Sequence, residues 1–173
     1  MNVDYTQIVE GCKRHDRRWQ KALYDLVAPM AMGVCMRYSD CRETAQDWMQ
    51  DGMIRIFEQL PKLHQPETLM GWAYRVMVNT CIDRFRVRKV TVDIDDGNEQ
   101  PVTHFDDPFM MHDIAVALQR LTPAQRLAFN LVEVEDMDYA EAAARMKCTE
   151  VNVRSLLSKA KQQLRVLLLD KDI

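Results

Sequence analysis

Residues 138–165, DYAEAAARMKCTEVNVRSLLSKAKQQLR, contain two helical patterns separated by a short polar break. The first pattern is rich in alanine, and Ala140, Ala143 and Ala144 predict a small-residue face against which a second helix can pack closely. The break MKCT has the length of the turn in a helix-turn-helix, where two short helices cross at an angle. These 28 residues therefore predict an all-α fold for this part of the chain.

The second helix of this stretch is amphipathic. Its predicted apolar stripe consists of Val153, Leu156, Leu157, Ala160, Leu164 and Leu167. The opposite face carries Arg154, Ser155, Ser158, Lys161, Gln162 and Arg165, with Lys159 at its edge. Thr149 is placed to cap the start of the helix, where the peptide dipole favours a phosphate. We expect the basic face to enter a DNA major groove, although a solvated helical hairpin would have the same pattern.

The turn itself departs from a common pattern. Many helix-turn-helix units have glycine where this chain has Lys147. Because left-handed backbone is costly for residues with a Cβ, we expect either strain at Lys147 or a different turn.

Helical periodicity extends through most of the chain. A helix pair is expected within residues 4–38, and an amphipathic helix is predicted by Ala45, Trp48, Met49, Gly52, Met53, Ile56, Phe57 and Leu60. A loop between Pro61 and Pro66 precedes a second long helix. Thr122 with Gln125, and Asp138 with Glu141, are N-cap pairs for two further helices. The predicted fold class is all-α, with two small helical domains.

Charge is distributed unevenly along the 173 residues, whose net charge is −3. Residues 90–112 contain six acidic residues and no Lys or Arg, whereas residues 145–165 contain six basic residues and only Glu150 as an acid. The acidic segment also contains Gly97, Pro101 and Pro108 and is too polar to form a core, so it is predicted to be a flexible linker. Five scattered cysteines without a CxxC pair indicate reduced thiols rather than a zinc or redox site.

Three stretches, in this order, resemble the extracytoplasmic-function sigma factors, the smallest members of the main bacterial sigma-factor family. They are AQDWMQDGMIRIFEQL, GWAYRVMVNTCIDRFRVRK and ALQRLTPAQRLAFNLVEVEDMDYAEAAARMKCTEVNVRSLLSKAKQQLR. The resemblance implies a core-binding and minus-ten domain (residues 1–89), an acidic linker (90–112) and a helix-turn-helix domain for the minus-thirty-five element (113–173). It also implies a cytoplasmic protein that is monomeric when free.

The resemblance assigns roles to individual residues. Asp47, Gln50 and Asp51 match the face that docks on the clamp coiled coil of RNA polymerase core. Leu63, Val76 and Asn79 match positions around a captured minus-ten base, with His64 and Gln65 in the same loop, and Arg84, Arg86, Arg88 and Lys89 supply charge for phosphates. Thr149, Arg154, Ser155, Ser158, Lys159 and Lys161 are the expected minus-thirty-five contacts.

Promoter DNA and polymerase core are thus the expected partners, and the family commonly has an anti-sigma factor, often membrane-tethered. No catalytic residue, metal or cofactor is expected, since no phosphate loop, HExxH or nucleophile motif occurs. The alternative is a stand-alone helix-turn-helix regulator whose residues 1–89 sense a signal or dimerise. Such a regulator usually spans two half-sites as a dimer.

Overall fold

The computed structural model describes residues 4–91 and 117–169, and within these ranges it is helical without any strand. The predicted all-α fold class is confirmed. The chain forms two compact units: unit 1 comprises Met1–Cys35 and Gln46–Cys81, and unit 2 comprises Met36–Ala45 and Ile82–Ile173. The greater part of the predicted acidic linker lies outside the described residues.

The helices follow the predicted order. The first part of the chain contains α1 (Tyr5–Lys13), α2 (Arg17–Tyr38), α3 (Arg42–Gln59) and α4 (Leu69–Thr91), with 3-10 turns at Leu60–Lys62 and Pro66–Thr68. The second part contains α5 (Pro123–Phe129), a π-helical turn (Asn130–Val134), α6 (Tyr139–Met146) and α7 (Glu150–Leu169). The helix pair within residues 4–38 and the proline-flanked loop are therefore confirmed.

The core of unit 1 includes the predicted stripe of α3. Trp48, Met53 and Ile56 are buried, whereas Met49 and Phe57 are half-buried. Gly52 lies where a Cβ atom would overlap the side chain of Met77 on α4. The absence of a side chain at position 52 therefore allows α3 and α4 to approach closely.

The five cysteines form no disulfide. Cys12, Cys35 and Cys81 are buried, and Cys41 and Cys148 are half-buried. The Sγ atoms of Cys35 and Cys81 are 3.7 Å apart, a distance of contact rather than of a bond. Burial raises the pKa of the Cys12 thiol, and the nearby Asp16 carboxylate raises it further.

Unit 2 contains a compact cluster of small and large apolar side chains. Its buried members are Ala117, Leu118, Leu121, Ala160 and Leu164. Phe129 and Leu167 pack against this cluster. The predicted stripe of α7 is confirmed, because Val153 and Leu157 are also buried while Leu156 is half-buried.

A buried arginine holds the start of α5 against the preceding turn. Arg126 is 2% exposed, and its Nε donates to the carbonyl of Leu118 at 3.0 Å. Its Nη2 donates to the carbonyls of Gln119 at 3.1 Å and Leu121 at 3.0 Å. These carbonyls belong to the chain just before α5, so one guanidinium satisfies acceptors that a helix end leaves without intrahelical partners.

The residues at the end of α2 contribute to the interior of unit 2. Asn130, which begins the π-helical turn, donates from Nδ2 to the carbonyls of Arg37 at 2.9 Å and Arg126 at 3.0 Å. The Tyr38 hydroxyl lies 3.2 Å from Oε1 of Glu135, and Nη2 of Arg37 lies 3.4 Å from the same oxygen. Side chains distant in sequence therefore stabilise the π-helical turn.

The predicted helix caps are confirmed. Thr122 and Gln125 form a reciprocal capping box at α5. The Asp138 side chain accepts from the Glu141 amide at 2.7 Å, and the Thr149 hydroxyl accepts from the Asn152 amide at 3.2 Å. Each cap satisfies an amide that has no partner within its own helix.

The turn between α6 and α7 has left-handed backbone at Lys147, with φ 53° and ψ 50°. The Cys148 amide donates to the Ala143 carbonyl at 3.1 Å and the Lys147 amide to the Ala144 carbonyl at 3.4 Å. This is a Schellman motif with lysine at the position that usually holds glycine. The expectation of strain at Lys147 is confirmed.

The alanine face of α6 differs from the prediction. Ala142 and Ala143 are buried with Met146, whereas Ala140 and Ala144 are exposed. Ala143 was predicted correctly, but Ala140 and Ala144 were wrong. The buried face of this helix is rotated by about 100°, or one residue position, from the predicted one.

Lys147→Gly is expected to stabilise the chain by about 0.5–1 kcal/mol. Left-handed backbone costs a residue with a Cβ about 1–2 kcal/mol, and the greater freedom of glycine in the unfolded chain offsets part of that gain. The measurement is the urea midpoint of both proteins, with Lys147→Ala as the control that keeps the strain. A midpoint for Lys147→Gly at or below that of Lys147→Ala would contradict strain at this turn.

Candidate nucleic-acid interface

The outward face of α7 is polar and positively charged. Arg154, Ser155, Ser158, Lys159 and Lys161 are exposed, as is the capping residue Thr149. The buried residues Val153, Leu157, Ala160 and Leu164 lie on the opposite side of the helix. A helix that presents cations and hydroxyls on one side and packs by the other can enter a major groove while its domain stays folded.

Arg154 is held in place by two neighbours within unit 2. Its Nη2 is 3.6 Å from Oε2 of Glu150, one turn earlier on α7. Its guanidinium also lies 4.9 Å from the ring centroid of Tyr139 on α6, within range of a cation–π interaction. Such contacts reduce the rotamer freedom of the side chain, so less entropy would be lost when it binds a further acceptor.

Lys161 is held differently. Its Nζ lies 2.8 Å from Oε1 of Glu133, and both side chains are partly exposed, at 48% and 34%. Partly exposed ion pairs contribute little to stability, about 0–1 kcal/mol. Lys161 can therefore leave the Glu133 carboxylate and bind a phosphate with little loss of free energy.

The polar face of α3 carries the three residues expected to dock on polymerase. Asp47 and Gln50 are exposed and Asp51 is half-buried, while Trp48 and Met53 are buried on the other side of the helix. The spacing of positions 47, 50 and 51 places these three side chains on one side of the helix. The structure thus brings two carboxylates and an amide together on one surface of unit 1.

The loop before α4 presents polar groups beside covered apolar ones. His64 and Gln65 are exposed, and so is Asn79 on α4. Leu63 and Val76 are only 7% and 8% exposed. An unpaired base would therefore touch only the edges of these two apolar side chains in this arrangement.

The basic residues near the end of α4 belong to unit 2. Arg84 and Arg86 are half-buried. The Nε of Arg86 donates to the Arg145 carbonyl at 2.7 Å, and its Nη1 lies 3.7 Å from Oδ1 of Asp83. The side chains of Arg88 and Lys89 lie outside the described part of the chain.

Two exposed apolar residues were missed by sequence reasoning. Val151 on α7 is 73% exposed and Ile54 on α3 is 56% exposed. Ile54 lies on the same side of α3 as Asp47, Gln50 and Asp51. Their exposure could have been inferred from the sequence, because both residues lie outside the predicted apolar stripes of their helices.

Within residues 4–91 and 117–169, no group of three or more His, Cys, Asp or Glu side chains could hold a metal ion. None of the helices in those ranges has the length and apolar character needed to cross a membrane.

Comparison with protein families identifies both halves of the chain. Residues 23–91 match the family model of sigma-70 region 2, and residues 111–164 match that of sigma-70 region 4. The two matches cover most of the chain and occur on either side of the acidic segment. The chain belongs to the sigma-70 family. Its helix-turn-helix consists of α6 and α7; the match to region 4 includes all of α6 and α7 as far as residue 164.

Relatives within this family include extracytoplasmic-function sigma factors. The chain is 31% identical over 140 residues to the ECF RNA polymerase sigma factor SigE of Mycolicibacterium smegmatis, which covers 75% of this chain and 53% of the relative. It is 23% identical over 172 residues to the RNA polymerase sigma-H factor of Pseudomonas aeruginosa, covering 90% of this chain and 89% of that protein. The chain thus spans about half the length of the mycobacterial relative and most of the other.

Two solved structures share the fold. The sigma factor RpoE of Bartonella quintana, crystallised with the anti-sigma factor NepR, superposes with a TM-score of 0.54 at 24% identity over 86% of this chain and 95% of that one. CnrH in complex with the cytosolic domain of CnrY gives a TM-score of 0.50 at 18% identity, over 98% and 100% of the two chains.

Proposed function

We propose that this protein is an initiation factor that binds RNA polymerase core, recognises promoter DNA and helps to open it. The observation that carries the proposal is the outward face of α7, which presents Arg154, Ser155, Ser158 and Lys159 on the second helix of a helix-turn-helix. Regions 2 and 4 of the sigma-70 family occur in one chain and in the expected order, which favours initiation over stand-alone regulation.

In this function α7 contacts the minus-thirty-five element. Arg154 has the planar fork that grips a guanine edge, and its contacts with Glu150 and Tyr139 hold that fork near the start of the helix. Lys161 lies two turns further along and exchanges Glu133 for a phosphate. Ser155, Ser158, Lys159 and Thr149 complete the proposed contact surface.

The first part of the chain binds polymerase and the minus-ten element. Asp47, Gln50 and Asp51 pair with basic side chains of the clamp coiled coil. The loop residues His64 and Gln65, together with Asn79, supply hydrogen bonds to an unstacked base, for which Leu63 and Val76 provide an apolar edge. Arg84, Arg86, Arg88 and Lys89 neutralise phosphates.

The domain division follows from these roles: residues 1–89 bind core and the minus-ten element, residues 90–112 connect, and residues 113–173 bind the minus-thirty-five element. We further propose that the protein is cytoplasmic, is monomeric when free, catalyses no reaction of its own, and binds an anti-sigma factor. The last point is supported by the similar fold of RpoE, which was crystallised with the anti-sigma factor NepR.

The test is reconstitution with purified polymerase core that contains no other sigma factor. Core plus this protein is incubated with a library of randomised upstream sequences, and run-off transcripts are sequenced. We expect the selected sequences to contain two motifs at a constant spacing. We also expect no transcription when either the core or this protein is omitted. DNA binding by a dimer of the protein alone, without any transcript, would instead establish the stand-alone regulator.

A further inference from the structure

The most exposed large apolar side chain of the described residues lies on the proposed DNA-contacting helix. Val151 is 73% exposed and is the second residue of α7. Single exposed apolar residues are common on protein surfaces. The position of this one is informative, because the N-terminal residues of the second helix of a helix-turn-helix contact base edges.

Val151 also shares a row with the proposed polar contacts. Positions 151, 155 and 158 follow the i, i+4, i+7 spacing, and Val151, Ser155 and Ser158 are all exposed. This row lies on the side of α7 opposite the buried residues Val153, Leu157 and Ala160. This row would therefore face the DNA if α7 enters a major groove.

Intrinsic helix stability does not account for valine at this position. Valine has a lower helix propensity than alanine, and at 73% exposure Val151 makes little contact with the core of unit 2. The surrounding charge favours a polyanion, since Arg154, Lys159 and Lys161 share α7 with Glu150 as the acid of its first turn. The apolar group that DNA presents in its major groove is the 5-methyl group of thymine.

We infer that Val151 contributes to sequence specificity by packing against the 5-methyl group of a thymine in the minus-thirty-five element. The inference rests on the proposed function and adds one recognised base to it. Burial of one methyl group corresponds to a factor of about four in affinity. Arg154 lies about one turn further along α7 and can contact a neighbouring base pair.

The experiment uses holoenzyme and the minus-thirty-five element selected in the reconstitution. Each thymine of that element is replaced in turn by deoxyuridine, which removes the methyl group and leaves base pairing unchanged. Wild-type holoenzyme is expected to bind about fourfold more weakly at one such position. Val151→Ala holoenzyme is expected to bind the thymine and deoxyuridine forms of that position equally.

Val166→Ala is the matched control, because Val166 is another exposed valine of α7, at 55%, about four turns further along. It should keep the wild-type preference for thymine, and unchanged circular dichroism should show that both variants fold. The inference is overturned if the selected element contains no thymine, or if wild-type holoenzyme binds every deoxyuridine form as tightly as the thymine form. It is also overturned if Val151→Ala holoenzyme prefers thymine to the same extent as wild type. Failure of wild-type holoenzyme to select any element would instead reject the proposed function.

Discussion

Replacing Arg126 by alanine is expected to lower the free energy of unfolding of unit 2 by about 4 kcal/mol or more. Arg126 is 2% exposed and donates to the carbonyls of Leu118, Gln119 and Leu121 at 3.0–3.1 Å. Each carbonyl left unsatisfied inside the protein costs about 1–3 kcal/mol, and the lost side-chain volume adds a cavity. Relief of the arginine's own desolvation offsets only part of this loss.

The measurement is urea unfolding of the full chain, with native-state hydrogen exchange of amides near residues 118–131 to localise the effect. Arg126→Met separates the two causes, because methionine restores volume but donates no hydrogen bond. It should recover less than half of the loss. Arg120→Ala is the control, since Arg120 is exposed nearby, and its effect should lie within about 0.5 kcal/mol. Equal stability of Arg126→Met and wild type would show that the hydrogen bonds are unimportant.

Local features of this fold could be predicted from sequence because their causes are local. Thr122, Asp138 and Thr149 cap helices through amides three residues away, so short spacing patterns identify them. The apolar stripes of α3 and α7 follow from periodicity in the same way. Strain at Lys147 was predictable because a helix that ends in a tight turn usually requires left-handed backbone.

Features that depend on distant residues were not predictable. Arginine is usually placed on the surface, and the acceptors of Arg126 become visible only when the turn before α5 is folded. The π-helical turn depends on Asn130, whose amide binds the Arg37 carbonyl, 93 positions away. The buried face of α6 was rotated from the prediction because alanine occurs on several of its sides, so composition did not define which side packs.

The candidate sites also have some features that the sequence predicts and others that only the structure reveals. The grouping of Asp47, Gln50 and Asp51 on one side of α3, and of Arg154, Ser155 and Ser158 on one side of α7, follows from helical spacing alone. Ile54 and Val151 were included neither in the predicted apolar stripes nor among the predicted contact residues. The extent of their exposure, 56% and 73%, required the structure.

Asp51→Arg, alone or combined with Asp47→Arg, is expected to weaken binding to polymerase core by at least about a hundredfold while the helical content is retained. The proposed partner surface is basic, and like charges brought together at an interface cost several kcal/mol. Asp47 is exposed and Asp51 half-buried on α3, so the double variant changes the face that also carries Gln50 and the exposed Ile54.

The measurement is the affinity of labelled protein for purified core, at two salt concentrations because salt screens part of the electrostatic effect. Glu10→Arg on α1 makes the same change of charge as Asp51→Arg alone, at another exposed position of unit 1, and should bind core normally. Normal core affinity of the double variant, with unchanged circular dichroism, would place the polymerase-binding surface elsewhere and leave the acidic face of α3 as a solvated surface.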